Sequence, residues 1–154
     1  MDKYSLYVPN FLPAGEYFDS KHNQTCIGCG VSLAVRLVGK AAENLLGKAS
    51  CERGTGSALF GCTTDAAALK IKQGKKELII CLDDEPEGTL KQAVHKNLPA
   101  VAVAEGVKYV ATACPSYPFD LLEKAKRALE TDSSAYLHIL CPCPAAWQYP
   151  TEDT

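Results

Sequence analysis

The sequence predicts an α/β domain with a mostly parallel sheet flanked by helices. Two observations carry this. From Ser57 onward, short apolar runs alternate with helical repeats. Several of those runs are continuously apolar rather than alternating, as in strands buried on both faces of a parallel sheet. With 154 residues, the chain is long enough for one domain with a real core.

Taken in order, residues 1–24 read as an extended arm, with Pro9 and Pro13 stiffening it and Tyr4, Tyr7, Phe11, Tyr17 and Phe18 as docking groups. Residues 31–47 read as a helix. Leu33, Leu37, Val38, Ala41 and Leu45 recur at helical spacing, and Gly47 suits its stop. The run SALFG (57–61) predicts a short strand, TTDAAALKIKQG (63–74) a helix, and ELIICL (77–82) a buried strand. LKQAVHKN (90–97) and PAVAVAEG (99–106) predict short helices, and VKYVATA (107–113) another buried strand. YPFDLLEKAKRALE (117–130) predicts a helix with Leu121, Leu122, Ala125, Ala128 and Leu129 on one face. SAYLHIL (134–140) predicts the last strand, and residues 141–154 a closing loop and tail. The whole reads as a single domain, 1–154.

Net charge is −2, and no Lys/Arg cluster tracks one helix face, which argues against a nucleic-acid partner. The N-terminal stretch MDKYSLYVPNFLPAG lacks a signal-peptide core, and no apolar run approaches a bilayer span, so a cytoplasmic protein off the membrane is expected. In a reducing compartment the eight cysteines then point to buried thiols or metal ligation rather than disulfides.

The most informative of them stand in T-C-I-G-C-G, where Cys26 and Cys29 precede the helix and can reach one metal centre. Gly28 and Gly30 allow close backbone approach and positive φ. Amides near a helix start would stabilise thiolate charge. Zinc, a redox dithiol and an iron–sulfur cluster all use such a turn. No strand precedes Cys26, as a thioredoxin-like dithiol needs, and C-P-C at 141–143 is a poor second zinc knuckle. Cys62, Cys81 and Cys114 read as core or near-core thiols.

T-C-I-G-C-G-V-S-L-A-V-R-L, TTDAAALKIKQGKKELIICLDDE and YVATACPSYPFDLLEKAKRALE followed by SAYLHILCPCPAAW together resemble the thiamine-diphosphate-binding β subunit of pyruvate and other 2-oxoacid:ferredoxin oxidoreductases. The resemblance implies a thiamine-diphosphate-binding-like fold, truncated here, and a [4Fe–4S] cluster. Its ligands carry over to Cys26, Cys29, Cys51 and Cys143, with Cys141 as the rival for the last place. It also implies a diphosphate site with Mg²⁺, reaching Gly61, Asp83 and Asp84. There the sequence departs from the pattern. Phe60 stands where the family has its cation-binding Asp, and Thr89 where it has an Asn. A hard cation needs oxygen ligands, so a degraded thiamine site is expected. The acids of DDEPEG then read as a solvated turn at the positive end of a helix.

Three functions follow as expectations. The first is an iron–sulfur electron-transfer subunit in a hetero-oligomer with other redox subunits or a ferredoxin-like carrier. The second is an active thiamine-dependent 2-oxoacid oxidoreductase β subunit. The third is a structural or regulatory subunit with zinc or no metal. His22 and His95 read as surface groups, His138 as a satisfied structural histidine, and Trp147 as an anchor for the closing loop.

Overall fold

The computed structural model describes residues 26–42, 58–62, 78–84 and 97–153. The predicted N-terminal arm, the helix at 63–74, the helix at 90–97 up to residue 96, Leu45, Gly47, Cys51, His22, His95 and Thr89 lie outside the described residues.

Among the described residues, four strands form one sheet: β1 (Ala58–Cys62), β2 (Leu78–Asp83), β3 (Tyr109–Ala113) and β4 (Ala135–Leu140). Their spatial order is β1-β2-β4-β3, and every neighbouring pair is parallel. Among the described residues, four helices accompany them: α1 (Gly30–Ala41), α2 (Leu98–Ala104), α3 (Pro118–Glu130) and the single turn α4 (Pro144–Trp147).

Crossover handedness sets the layers. The chain leaves β2, passes through α2 and skips one place to β3; it then returns through α3 to β4. Two right-handed crossovers running in opposite directions must lie on opposite faces of the sheet. Accordingly Ile79, Cys81 and Tyr136 pack with Leu98 and Ala102 of α2 on one face. Ile80, Leu82, Leu137, Ile139 and Cys141 pack with Ala34, Val35, Leu37 and Val38 of α1 and Leu121 and Ala125 of α3 on the other.

Several expectations are corrected. α1 ends at Ala41 with Ala42 as its C-cap, whose N–H returns to Gly39 and Val38 carbonyls. The strand at 107–113 is not buried. β3 is an edge strand with Thr112 exposed and only Ala113 fully buried, because nothing pairs beyond it among the described residues. β2, between β1 and β4, is buried from Ile79 to Leu82 as its apolar run predicts. The tail is not all loop. Pro144 starts α4 with its φ pre-set for a helix, Gln148 ends it in the left-handed region at φ 56°, and Thr151–Asp153 form a 3₁₀ turn. α2 starts one residue before the predicted helix, at Leu98, because Asn97 Oδ1 accepts from Ala100 N–H at 3.1 Å as an N-cap.

Among the described residues, no helix is long and apolar enough to cross a membrane.

Candidate metal centre

The described strands, all parallel, end on the same edge of the sheet, where the Cys26–Cys29 turn meets the Cys141–Cys143 segment. Cys26 to Cys29 form a tight turn closed by Cys29 N–H to Cys26 O at 3.3 Å. The turn needs Gly28, which has φ 71°. Gly30 does not share that role, contrary to the paired reading of the two glycines. It lacks a positive φ and serves close approach instead. Its N–H donates to Pro142 O at 3.0 Å, and a Cβ on it would lie 2.5 Å from that oxygen. The start of α1 is thereby seated on the C-P-C segment after β4.

The two cysteines of that segment face different surroundings. Cys141 continues the inward alternation of Leu137 and Ile139; it is 0% exposed, and its Sγ donates to Ile139 O at 3.4 Å. Cys143 is half-buried and caps the N-terminus of α4. Cys29 is likewise half-buried, and Cys26 is exposed. Hence three sequence-predicted ligands lie on two abutting segments, and Cys51 lies outside the described residues. Among the described residues no three His, Cys, Asp or Glu side chains are gathered closely enough to hold a metal. The donor set itself, all thiols, is one that both zinc and iron–sulfur clusters use.

Of the other thiols, Cys114 follows β3 and its Sγ donates to Ser116 Oγ at 3.5 Å, a near-core position as expected. Cys81 is buried in β2. It begins a polar chain that periodicity only half foretold. On the α2 face of the sheet, Cys81 packs with Tyr136, whose hydroxyl is next in line. That hydroxyl lies 3.2 Å from His138 Nδ1, and His138 Nε2 lies 3.2 Å from Asp83 Oδ2. His138 is thus a satisfied structural histidine, as its strand position predicts.

Burial pushes the Cys81 thiol above its free value of 9.0, and burial together with the nearby Cys81 and Asp83 pushes the Tyr136 phenol well above 10.0. Above pH 9 the unfolded chain releases protons that the folded chain keeps. The unfolded state then binds fewer protons, so stability falls as pH rises. Cys81→Ala should remove the part of this alkaline loss that begins near pH 9, leaving the tyrosine part. Urea midpoints at pH 8 and pH 10 check it, and an unchanged pH dependence in the variant would sink the assignment.

No family model matches the chain. Pyruvate synthase subunit PorB of Methanothermobacter thermautotrophicus is 50% identical over 54 residues, 35% of this chain and 19% of that protein. Pyruvate synthase subunit PorB of Methanothermobacter marburgensis is 28% identical over 86% of this chain and 53% of its own length. Ketoisovalerate oxidoreductase subunit VorB of Pyrococcus abyssi is 32% identical over 42% of this chain and 21% of its own length. The chain resembles the β subunits of 2-oxoacid:ferredoxin oxidoreductases. It spans about half the length of the M. marburgensis subunit. That alignment runs over 157 positions while covering 86% of 154 residues, so the longer subunit carries internal residues that this chain lacks.

Against that resemblance the predicted diphosphate residues are scattered in role. Gly61 lies inside β1, paired in register with Cys81, and Phe60 precedes it in the strand. Asp83 ends β2 with its carboxylate on His138 and its carbonyl on Cys141 N–H at 2.6 Å. Asp84 accepts the Trp147 indole N–H through its main-chain oxygen at 3.0 Å. Glycine supplies no side-chain oxygen for a cation, and the Asp83 carboxylate already meets His138 Nε2.

Proposed function

We propose that the chain is an iron–sulfur electron-transfer subunit of a complex related to 2-oxoacid:ferredoxin oxidoreductases. The observation that carries this reading is the seating of the Cys26–Cys29 turn on the Cys141–Cys143 segment through Gly30 N–H and Pro142 O. Cys26, Cys29, Cys51 and Cys143 would hold a [4Fe–4S] cluster, which accepts or donates one electron at a time. Cys143 rather than Cys141 is taken as the fourth ligand, because Cys141 is buried with its Sγ on Ile139 O. The chain's own contribution is to hold the two segments in register and to turn α1's free amides toward thiolate charge. The half-buried state of Cys29 and Cys143 limits water access while Cys26 stays at the surface, where a partner redox subunit or ferredoxin-like carrier would approach in a hetero-oligomer in the cytoplasm.

A second reading rests on the resemblance itself: the chain completes a thiamine diphosphate site together with a partner and takes part in 2-oxoacid oxidation. Thiamine chemistry needs a protein-oriented cofactor. Phe60 and the engaged carboxylate of Asp83 weigh against this chain supplying the cation ligands.

Iron, sulfide, zinc and thiamine analysis of protein purified without oxygen separates the readings. The expected result is roughly four iron and four sulfide per chain, with broad absorption near ~400 nm and no thiamine. Stoichiometric zinc, or no metal, would sink the electron-transfer reading in favour of a structural subunit. Bound thiamine with 2-oxoacid-dependent dye reduction would establish the catalytic one.

A further inference from the structure

The geometry points to Trp147 as the positioning residue for Cys143, and to the Asp83–Asp84 corner as a brace that works through its carbonyls. The inference rests on the reading of Cys143 as a ligand.

The segment from Cys141 to Trp147 is pinned at both ends to adjacent residues. At its start, Cys141 N–H donates to Asp83 O at 2.6 Å, prolonging the β2–β4 ladder by one bond. Pro142 has no N–H and ends the ladder there. At its far end, Trp147 Nε1–H donates to Asp84 O at 3.0 Å, a contact spanning 63 residues of sequence. Between the two pins lies Cys143, whose carbonyl accepts Trp147 N–H at 2.8 Å to make the single turn α4.

One helical turn is not stable alone. α4 therefore takes its place from tertiary contacts, and the indole bond ties its last residue to the sheet. Tyr149 supports the ring edge-on, with centroids 6.3 Å apart. The corner that receives both bonds is itself held, since Asp83 Oδ2 meets His138 Nε2. The two acids that the resemblance assigns to diphosphate binding thus brace the cysteine loop, Asp84 by its main chain. Trp147 acts on the metal site only through Cys143.

Trp147→Phe keeps an aromatic ring and removes the donor. In metal-free protein, alkylation of Cys143 should accelerate roughly tenfold, while Cys29 and Cys26 keep their rates. In iron-loaded protein, release to a chelator should accelerate roughly tenfold, and the electron paramagnetic resonance of the reduced cluster should shift. Asp84→Asn should leave both rates unchanged, because its main-chain oxygen remains. An unchanged Cys143 rate in Trp147→Phe, an equal rise at all three thiols, or a loss of iron in Asp84→Asn would overturn the proposal. If Trp147→Phe does not fold, the native protein still decides. The chain has one tryptophan, so its indole N–H gives one nuclear magnetic resonance signal. That proton should exchange slowly with solvent, and exchange at the free indole rate would overturn the proposal. Absence of iron from the native protein would defeat the cluster reading, while the alkylation and exchange measurements would still judge the role of Trp147.

Discussion

Gly30→Ala should weaken the junction on which the candidate centre depends. A methyl group at residue 30 would lie 2.5 Å from Pro142 O, 2.7 Å from Pro142 N and 2.8 Å from Pro142 Cδ. Two of those atoms are main chain and the third belongs to a rigid ring, so no side chain can swing aside. The start of α1 must instead lift off, stretching the 3.0 Å bond from Gly30 N–H to Pro142 O. Overpacking of this kind costs about 1–3 kcal/mol. Alanine's helix propensity would return at most about 1 kcal/mol, and less at the first helical position, where the backbone is only partly committed to the helix. The net expectation is a loss of about 1–2 kcal/mol, seen as a lower urea midpoint with an unchanged slope. Iron content should fall together with stability, because the same junction carries both. A variant as stable as the parent would mean that the C-I-G-C turn is not seated on Pro142.

What was legible in the sequence was local and periodic. β2 read correctly because four consecutive apolar residues in the middle of a parallel sheet face protein on both sides. α3 read correctly because Leu121, Leu122, Ala125, Ala128 and Leu129 fall on one helical face, all of them buried. β3 has a similar apolar composition but lies at an edge, and strand order is a property of the whole chain. α4 hid in a proline-rich tail, although Pro144 at its first position is itself a helix-start signal. The bond from Trp147 to Asp84 joins residues too far apart in sequence for any spacing argument. Cys141 and Cys143 were separable in principle. Leu137 and Ile139 already set the inward parity of β4, and one more step places Cys141 on it.

That parity leads to a sharp pair of substitutions. Cys143→Ser should abolish iron binding and leave the metal-free fold close to its parent stability. Residue 143 is half-buried, and substitutions away from packed cores usually change stability by less than about 0.5 kcal/mol. Cys141→Ser should do the reverse. Its side chain is 0% exposed, in a cluster with Leu137, Ile139, Leu121 and Val38. A hydroxyl there trades a soft thiol for a strongly hydrated group, at a cost of about 1–3 kcal/mol. A serine bond to Ile139 O, which the thiol reaches at 3.4 Å, would offset part of it. Iron should stay bound, since Pro142 and the Trp147 pin still hold residue 143 in place. Chemical denaturation of the metal-free variants and iron analysis of the anaerobic preparations give the two readouts separately. If Cys141→Ser loses iron and Cys143→Ser keeps it, Cys141 is the ligand, and the loop must turn that thiol out of the core when metal binds. If both keep iron, the fourth ligand comes from elsewhere in the chain or from a partner. If both lose it, the C-P-C segment responds as one unit, and ligation and core packing at residue 141 cannot be the independent roles that strand parity assigns.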